Sequence, residues 1–473
     1  MSTCIHLLDG LAQKKLLDTK QFTPLELTDY YINRIEKYNA SLNAIVHTMF
    51  EEARRQAEAI TLSQSPVAGL PFLIKSLNAI RNQPYTNSSL LQQGVTAESN
   101  DPLVDKYEQA GLTIVGISNS PEFGLLPTTE PKLYGATKNP WQLDFSPGGS
   151  SGGAAAAVAA GLVPFAHASD GGGSIRIPAS ACGLFGLKPS RGLLPYSPYI
   201  NHYSISHALT RSVRDSAVLL DIIVNKQNNQ LYPIHKTEET FLSQLHHMPK
   251  KLRIGVKYDH PSLNFDEETI TNYKQTILLL EQLGHEVIEV MPPIDMEQLA
   301  HHFIHIWMAT GAVAIRHSGQ FAQKPITTFN VEPLTYDILT FAEKLSAVEY
   351  ENSRVYVHTA AQQFLQFFND IDIWMTPTLN QLPKKIGADA TYNGNAYETM
   401  LQNMLNYNPY MPIANATGQP AMSVPTSFSS NGLPIGTHFF GKQGEDGLLL
   451  QLACQIEEAQ PWNNYYATIF NED

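Results

Sequence analysis

Two glycine- and serine-rich segments are the places in this chain where nucleophilic chemistry could occur. Residues 146–153 read SPGGSSGG, and residues 169–178 read SDGGGSIRIP. Glycine loses more conformational freedom on folding than any other residue, so such density marks positive φ, close backbone approach or exposed N–H groups. Backbone donors that converge beside a serine are what an oxyanion hole needs. Either segment taken alone is more typical of a glycine turn under a helix of small residues.

A serine nucleophile also needs a base, and Lys75 is a candidate. It ends the apolar run of residues 69–75, GLPFLIK. Burial disfavours the charged ammonium and lowers a lysine pKa from about 10.4 towards neutrality, so that the amine can accept a proton. The alternative is a lysine at a strand end whose charged tip reaches solvent, and this segment alone favours that alternative.

Residues 148–152 also fit G-x-S-x-G, the nucleophile elbow of the α/β-hydrolases, with Ser150 as nucleophile. The elbow needs a hydrophobic strand that enters the turn. Residues 142–147, QLDFSP, end in a proline and make a poor buried strand. An esterase that uses Ser150 remains a minor alternative.

Histidines, which are common metal ligands, cluster at His301, His302 and His305, with a second pair at His246 and His247. His302 and His305 could meet on one helix face, but no H-E-x-x-H motif accompanies them. The spacing is more typical of a solvated or core helix. We therefore expect no metal site.

Composition limits the classes of protein to consider. The chain has 473 residues, of which 43% are hydrophobic and 16% charged, and 44 acidic against 31 basic residues give a net charge of −13. These values suit a folded protein and argue against a nucleic-acid surface. Three distant cysteines support neither a disulfide framework nor a zinc site. The N-terminus does not resemble a secretion signal, and no apolar run is long enough to cross a bilayer, so we expect a cytoplasmic protein.

The elements that would position these residues follow an alternating pattern. A capping box at Thr23 predicts the start of a helix. Residues 106–117 read as a helix end, a glycine cap and a buried strand, and residues 252–290 repeat the pattern as strand, helix and strand. Such β-α-β units favour a parallel or mixed sheet with helices on both faces.

Taken together, GLPFLIK at 69–75, PGGSSGG at 147–153 and SDGGGSIRIPAS at 169–180 resemble the amidase signature family in order and spacing. Ser150 and Ser174 are 24 positions apart, as are that family's two active serines. The resemblance extends to the opening helix at 23–43 and to closing segments at 372–378, 415–425 and 432–436. Residues 122–131 and 169–180 look closest to the subgroup that contains the 6-aminohexanoate cyclic dimer hydrolase.

The resemblance implies a fold and a set of roles. The fold would be α/β, a single large domain over 1–473 with a mixed, mostly parallel central sheet covered by helices on both faces. Its core signature would span about 65–195. Ser174 would be the nucleophile, Ser150 a bridging serine held by a cis peptide, and Lys75 the base. The backbone N–H groups of Gly171, Gly172, Gly173 and Ser174 would hold the oxyanion, with no metal or cofactor.

One acidic and one basic neighbour of Ser174 could support this site. We hypothesise that Asp170 and Arg176 pair to fix the loop, although an exposed, unrelated pair is nearly as typical. The sequence also departs from the family: Ser76 replaces the usual Asp, residues 116–119 read GISN in place of GKTN, and Gly171 replaces a β-branched residue. None of these changes removes a catalytic group, but all could reshape its surroundings.

We therefore predict a stand-alone cytoplasmic amidase that acts on a small, largely uncharged or linear amide through a seryl acyl-enzyme. The alternatives are a glutamine-hydrolysing amidotransferase subunit that needs partner subunits, and a non-catalytic binding protein. We expect no nucleic-acid or membrane partner, and a homodimer is the expected assembly if the chain associates. Substrate choice should lie in the variable region 225–369 and in nearby loops. Candidate pocket residues are Tyr134, the segment 406–412, and Phe303, Trp307 and Tyr350, although each of the last three is more typical of the core.

Overall fold

The computed structural model describes residues 4–194, 203–224, 232, 238–247, 249–257, 263–388, 392 and 394–462. The strands of this part of the chain are β1 Ile45–Thr48, β2 Pro71–Lys75, β3 Thr113–Ser118, β4 Phe165–Asp170, β5 Phe185–Lys188, β6 Ile205–Thr210, β7 Arg253–Val256, β8 Glu286–Glu289, β9 Ile373–Pro377, β10 Ala421–Phe428 and β11 Pro434–Phe440. Its α-helices are α1 Gly10–Asp18, α2 Pro24–Leu42, α3 Phe50–Ala59, α4 Pro102–Gln109, α5 Gly152–Ala159, α6 Arg176–Cys182, α7 Val213–Ile223, α8 Phe241–Gln244, α9 Glu267–Gln282, α10 Met296–Ala322, α11 Pro333–Lys344, α12 Ala347–Phe367, α13 Ala396–Asn406, α14 Met411–Thr417 and α15 Asp446–Ala459.

The larger sheet has the strand order β4-β6-β5-β10-β11-β9-β7-β8. Helices cover both of its faces. Two neighbouring residues of β11 show this, since successive side chains of a strand point to opposite faces of the sheet. Thr437 contacts Thr276 of α9 at 3.2 Å between hydroxyl oxygens, whereas His438 contacts Arg176 of α6 at 3.0 Å between side-chain nitrogens. The site-forming helix α6 and the outer helix α9 therefore lie on opposite sides of the sheet.

A smaller sheet, ordered β1-β3-β2, lies beside β4 and carries Lys75 at the end of β2. The backbone N–H of Lys75 donates to Nδ1 of His167 on β4 at 3.4 Å. Burial lowers the pKa of His167 to about 3, so this imidazole is neutral and adds no positive charge beside Lys75. The contact between β2 and β4 brings the lysine to the strand that leads into the second glycine segment.

The α/β class and the mixed sheet are confirmed, but the expectation of a mostly parallel sheet is wrong. Among the described strands of the larger sheet, only the β9–β7 and β7–β8 pairs are parallel. Both predicted β-α-β units are parallel, since β2 and β3 flank α4, and β7 and β8 flank α9. The third parallel pair, β7 with β9, belongs to neither unit. Hairpins and long connections between the other strands leave no periodic pattern in the sequence, so their antiparallel pairing was not visible.

Local sequence explains the main helices that frame the site. The capping box is confirmed at the start of α2, where the Thr23 and Glu26 side chains each bond the other's backbone N–H. Helix α5 consists of Gly, Ala and Val and is buried on every side, as expected for a helix that is apolar all round. Helices α10 to α14 pack into a second core above the sheet, around Phe303, Ile304 and Phe364.

The three cysteines are free thiols, and they differ in exposure. Cys182 ends α6 and is fully buried, with its thiol donating to the carbonyl of Pro147 at 3.6 Å. Burial raises the pKa of the Cys182 thiol, so it stays protonated at neutral pH. Cys182 thus packs a buried, unreactive sulfur against the first glycine segment.

Candidate active site

Lys75 is fully buried, and its amine is surrounded by hydroxyl groups. Nζ lies 2.8 Å from Oγ of Ser150, 2.9 Å from Oγ of Ser151 and 3.1 Å from Oγ of Ser169. The alternative of a lysine tip that reaches solvent is wrong, because the side chain has no exposed surface. Lys75 and Ser150, which are 75 positions apart in the chain, are in direct contact as the resemblance implied.

Burial gives this lysine the properties of a base. Desolvation lowers the pKa of Lys75 to about 7, and the negative charge of Asp170 opposes the shift only in part. Three hydroxyl oxygens surround the nitrogen, so one hydrogen bond can reverse direction when the amine is neutral. The site therefore holds a lysine that can accept and return a proton near neutral pH.

Ser150 lies in a tight turn that enters α5. The peptide bond between Gly149 and Ser150 is cis, as the resemblance implied. Gly149 has no space for a side chain, since a Cβ there would lie 2.6 Å from the carbonyl oxygen of Thr128. No strand enters this turn within the described residues, and the base in contact with Ser150 is Lys75. The nucleophile-elbow alternative is therefore wrong.

Ser174 follows the second glycine segment, between β4 and α6. It is 9% exposed and lines a pocket together with Gly172 and Gly124. A Cβ on Gly124 would lie 3.3 Å from the Ser150 hydroxyl, so Ser150 adjoins the same pocket. The described part of the chain offers the Ser174 hydroxyl no hydrogen bond, Ser150 included. The structure thus brings Lys75 and Ser150 together and leaves the second link, from Ser150 to Ser174, open.

Asp170 and Arg176 pair below Ser174, as hypothesised. Two bonds join the guanidinium and the carboxylate, Nε–Oδ2 at 2.9 Å and Nη2–Oδ1 at 3.0 Å, and both side chains are fully buried. Burial alone would raise the pKa of Asp170, but the charge of Arg176 holds it well below its usual range. The alternative of an exposed, unrelated pair is wrong.

The same carboxylate changes the expectation for the oxyanion hole. The N–H of Gly173 donates to Oδ1 of Asp170 at 2.7 Å, and the N–H of Ile175 donates to Oδ2 at 3.2 Å. The Gly173 N–H already donates to this carboxylate and cannot also donate to an oxyanion. The geometry therefore does not fit the expectation that Gly173 is an oxyanion-hole donor. Gly171, Gly172 and Ser174 remain candidates for that role.

Several supporting residues were not predicted. Asn415 donates to the Asp170 carboxylate at 2.9 Å and accepts from Arg176 at 2.7 Å, and His438 contacts Arg176. Asn415 begins a segment that the resemblance had already marked, but no pattern indicated His438. Ser76, where the family usually has Asp, joins Ser88 and Ser120 in a cluster of buried hydroxyls.

The pocket beside Ser174 is apolar over most of its surface. As predicted, Phe303 and Trp307 of α10 line it, and Asn408 brings in the segment 406–412. Tyr350 is instead packed, half-buried, against the second core, and the hydroxyl of Tyr134 contacts Thr86 at 2.9 Å. Neither tyrosine is among the residues that line this pocket.

The three histidines of α10 lie together away from these serines. One ring nitrogen from each of His301, His302 and His305 lies within 4.8 Å of the others. Nδ1 of His302 and Nδ1 of His305 contact Oγ of Ser353 at 3.0 and 3.1 Å, and His301 contacts the hydroxyl of Tyr397. Side chains already satisfy these nitrogens, and the absence of a metal site stays a prediction.

Within the described ranges, no helix combines the length and the apolar composition needed to span a membrane.

Comparisons with known proteins agree with this geometry. A family model described as Amidase matches residues 26–450. The 6-aminohexanoate-cyclic-dimer hydrolase of Pseudomonas sp. (strain NK87) is 31% identical over 96% of this chain and 95% of its own length. An acylamidase of Rhodococcus erythropolis is 29% identical over 97% and 96%. A solved structure of 6-aminohexanoate cyclic dimer hydrolase superposes with a TM-score of 0.91 at 30% identity, covering 98% of this chain and 99% of that one. The chain therefore belongs to the amidase family of hydrolases that act on carbon–nitrogen bonds.

Proposed function

We propose that this chain hydrolyses a small-molecule carboxamide through an acyl-enzyme on Ser174, with Ser150 and Lys75 as a proton relay. The observation that carries the proposal is the fully buried Lys75 amine, 2.8 Å from the Ser150 hydroxyl and with its pKa lowered to about 7. A general base works best when its pKa lies near the working pH. A buried lysine among serines has little use in a protein that only binds.

Acylation begins with proton transfer along the relay. Ser174 Oγ attacks the amide carbonyl carbon and gives its proton to Ser150, which gives its own proton to the neutral amine of Lys75. Catalytic hydrogen bonds are often long or poorly aligned in free enzymes and tighten when the substrate binds. We propose that the bond from Ser174 to Ser150 forms in this way. The open position of the Ser174 hydroxyl fits that sequence of events.

The carbonyl oxygen becomes an oxyanion in this step, and backbone donors stabilise it. We assign this role to the N–H groups of Gly171, Gly172 and Ser174. Gly173 has a different role, because its N–H holds the Asp170 carboxylate at 2.7 Å. The buried bonds between Asp170 and Arg176 keep the glycine backbone in one conformation, so its donors need no reorganisation during the reaction.

Collapse of the tetrahedral intermediate breaks the C–N bond. The proton held on Lys75 returns through Ser150 to the leaving nitrogen, since an amide does not expel an unprotonated amine. Water then attacks the acyl-enzyme, gives its proton to the same relay, and the carboxylic acid leaves as Ser174 is protonated again. The cycle needs no metal and no cofactor.

The acyl pocket supports a small, largely uncharged substrate. Its walls are mostly apolar side chains, including Leu126, Phe303, Trp307 and Met400. Helix α10, which provides two of these, lies in the variable region 225–369. One similar protein is a hydrolase of the 6-aminohexanoate cyclic dimer, by its name, and we propose that the substrate here is likewise a neutral amide.

We further propose that the chain is one amidase domain that works in the cytoplasm, alone or as a homodimer. Its acidic net charge of −13 gives no attraction to nucleic acid or to an anionic membrane surface.

Labelling with a fluorophosphonate, followed by peptide mapping, tests the proposal. We expect the label on Ser174, and the Ser174→Ala variant should lose both the label and turnover. A label on Ser150 would contradict the assignment of the nucleophile. Ammonia or amine release by the purified chain alone would separate a stand-alone amidase from an amidotransferase subunit, which needs its partners.

A further inference from the structure

A second cavity adjoins the relay, and it differs in chemistry from the acyl pocket. Its volume is about 480 Å³, within the range of small-molecule sites, and it is rich in polar side chains. Polar residues that line it include Asn78, Asn87, Gln92, Ser169 and His317. Nothing in the proposed acylation chemistry uses this space.

The cavity reaches the base of the relay. Ser169, one of its lining residues, accepts a hydrogen bond from Lys75 Nζ at 3.1 Å. Leu77, another lining residue, adjoins Gly124 of the acyl pocket, since a Cβ on Gly124 would lie 2.6 Å from Leu77 Cδ1. The two cavities therefore border neighbouring residues around Lys75 and Ser150, with Leu77 between them.

Two buried amides in the cavity wall lack partners for half of their polar atoms. Nδ2 of Asn87 donates to Oε1 of Gln92 at 2.6 Å, and these side chains are 2% and 0% exposed. The other atoms, Oδ1 of Asn87 and Nε2 of Gln92, have no hydrogen-bond partner in the part of the chain that the structure describes. A buried polar atom without a partner is costly. Both atoms have almost no accessible surface, so a ligand in the cavity meets them only when the two amides turn towards it. A ligand that supplies one acceptor and one donor favours that rotation.

Charge in the cavity favours a neutral or cationic group. Asp101 lines it and accepts a hydrogen bond from Asn78 at 3.1 Å, and neither a lysine nor an arginine is among the described lining residues. A carboxylate would meet the negative charge of Asp101 without a balancing cation. An amide or an amine meets complementary groups.

We propose that this polar cavity binds the amine portion of the substrate, and that the apolar pocket beside Ser174 binds the acyl portion. This inference rests on the proposed function. The leaving nitrogen must receive the proton that Lys75 returns, so the group attached to that nitrogen lies on the lysine side of the site. Once turned into the cavity, the unpaired donor of Gln92 and acceptor of Asn87 suit an amine that carries a second amide, whose carbonyl accepts from Gln92 and whose N–H donates to Asn87.

Three butanoyl amides test the assignment. They are the primary amide, the N-(2-carbamoylethyl) amide and the N-(3-methylbutyl) amide, of which the last two have leaving groups of matched shape and different polarity. For the native enzyme we expect kcat/KM to favour the carbamoylethyl amide over the methylbutyl amide by about tenfold or more. In Gln92→Leu this preference should fall close to unity.

A second variant tests the location without removing a hydrogen bond. Ala314 of α10 lines the cavity, and Ala314→Leu should lower kcat/KM for both N-substituted amides by about tenfold relative to the primary amide. Gln320→Leu places the same residue on an exposed position of the same helix and should leave all three values unchanged. Circular dichroism should show that each variant is folded.

The outcomes separate this inference from the proposed function. If the enzyme hydrolyses the amides but Ala314→Leu and Gln92→Leu leave the ratios among them unchanged, the cavity does not bind the amine. If Ala314→Leu instead alters selectivity along a series of acyl chains, the two pockets have been assigned in the wrong order. Failure to hydrolyse any amide, with no label on Ser174, would contradict the proposed function itself.

Discussion

The protonation state of Lys75 is the decisive quantity at the scale of single residues. A lysine in water has a pKa near 10.5 and is charged at neutral pH, whereas burial lowers the pKa of Lys75 to about 7. Since only the neutral amine can accept the proton from Ser150, activity should increase as the pH rises through this pKa. The burial of the Lys75 amine thus determines the pH range in which the proposed hydrolysis is fast.

This gives a prediction for the pH dependence. The value of kcat/KM should rise between pH ~6 and ~8 and level off above, with a midpoint that reports the free enzyme. Measurement of kcat/KM for a neutral amide, whose own charge does not change in this range, gives the profile. A flat profile from pH ~5 to ~9 would exclude a lysine base.

Removal of the amine is the second prediction at this scale. Lys75→Ala should lower kcat by about 10³-fold or more, because the relay loses its proton acceptor. Lys75→Met is the matched control for packing, since it keeps an unbranched apolar chain in the same space and still lacks the amine. Both variants should be inactive, and circular dichroism should show a native fold. Near-normal turnover in either one would contradict the relay.

At the scale of elements, the connection between β4 and α6 holds Ser174, the proposed nucleophile. Asp170 ends the strand, Arg176 begins the helix, and their buried ion pair spans the glycines and Ser174 between them. Asn415 of α14 contacts both members of the pair. Three elements therefore meet at one carboxylate.

We predict that Asp170→Asn lowers the free energy of unfolding by about 3 kcal/mol, because it leaves the buried Arg176 charge without its partner. Glu343→Gln, in an exposed pair with Arg316, should change it by about 0.5 kcal/mol or less. Urea unfolding measures both. Unchanged stability and turnover in Asp170→Asn would contradict a role for the pair.

The same pair has a defined pH dependence. The folded-state pKa of Asp170 lies below its unfolded value of about 3.9, so its contribution to stability is full above that value. The contribution is lost as the pH falls towards the folded-state pKa. Acid unfolding of the native enzyme should therefore show a component that Asp170→Asn lacks.

The sequence predicted elements where local rules govern them. The Thr23 capping box and the β-α-β units around α4 and α9 depend on neighbouring residues, and the structure confirms them. Antiparallel pairing of β5 with β10 joins residues far apart in the chain, and no local pattern encodes it. The direction of most strands was for that reason predicted incorrectly.

At the scale of the whole molecule, α10 connects the two cavities. Its first half contributes Phe303 and Trp307 to the apolar pocket, and its second half contributes Thr310, Ala314 and His317 to the polar one. One helix from the variable region thus borders both sides of the relay. The glycine segments and strands below it hold the residues of the proposed relay.

Replacement of one α10 side chain should therefore change selectivity more than chemistry. Trp307→Leu enlarges the apolar pocket and should raise the kcat/KM ratio of hexanoyl to acetyl primary amides by about tenfold. The pH profile should keep its shape, because Lys75 and its surroundings are unchanged. Gln320→Leu is the control on the same helix. An unchanged acyl ratio would show that this pocket does not hold the acyl group.

The sequence located part of this larger arrangement. Phe303 and Trp307 were predicted from their position in the variable region, whereas Met400 and Asn403 of α13 were not. Helix α13 reaches the pocket only because α10 to α14 pack together. The residues that make this packing are spread over about 100 positions in which polar and apolar residues alternate without a clear period. The motifs predicted the residues of the proposed relay, and the fold was needed to show what surrounds them.

The buried thiol of Cys182 makes this enzyme its own probe of local opening. Its sulfur lies against Pro147, next to the turn that holds Ser150, and it is shielded and protonated while that packing persists. Alkylating reagents can reach it only when the turn separates from α6. The rate at which Cys182 is alkylated therefore measures how often the region around Ser150 opens locally. A tightly bound acyl group should slow that rate.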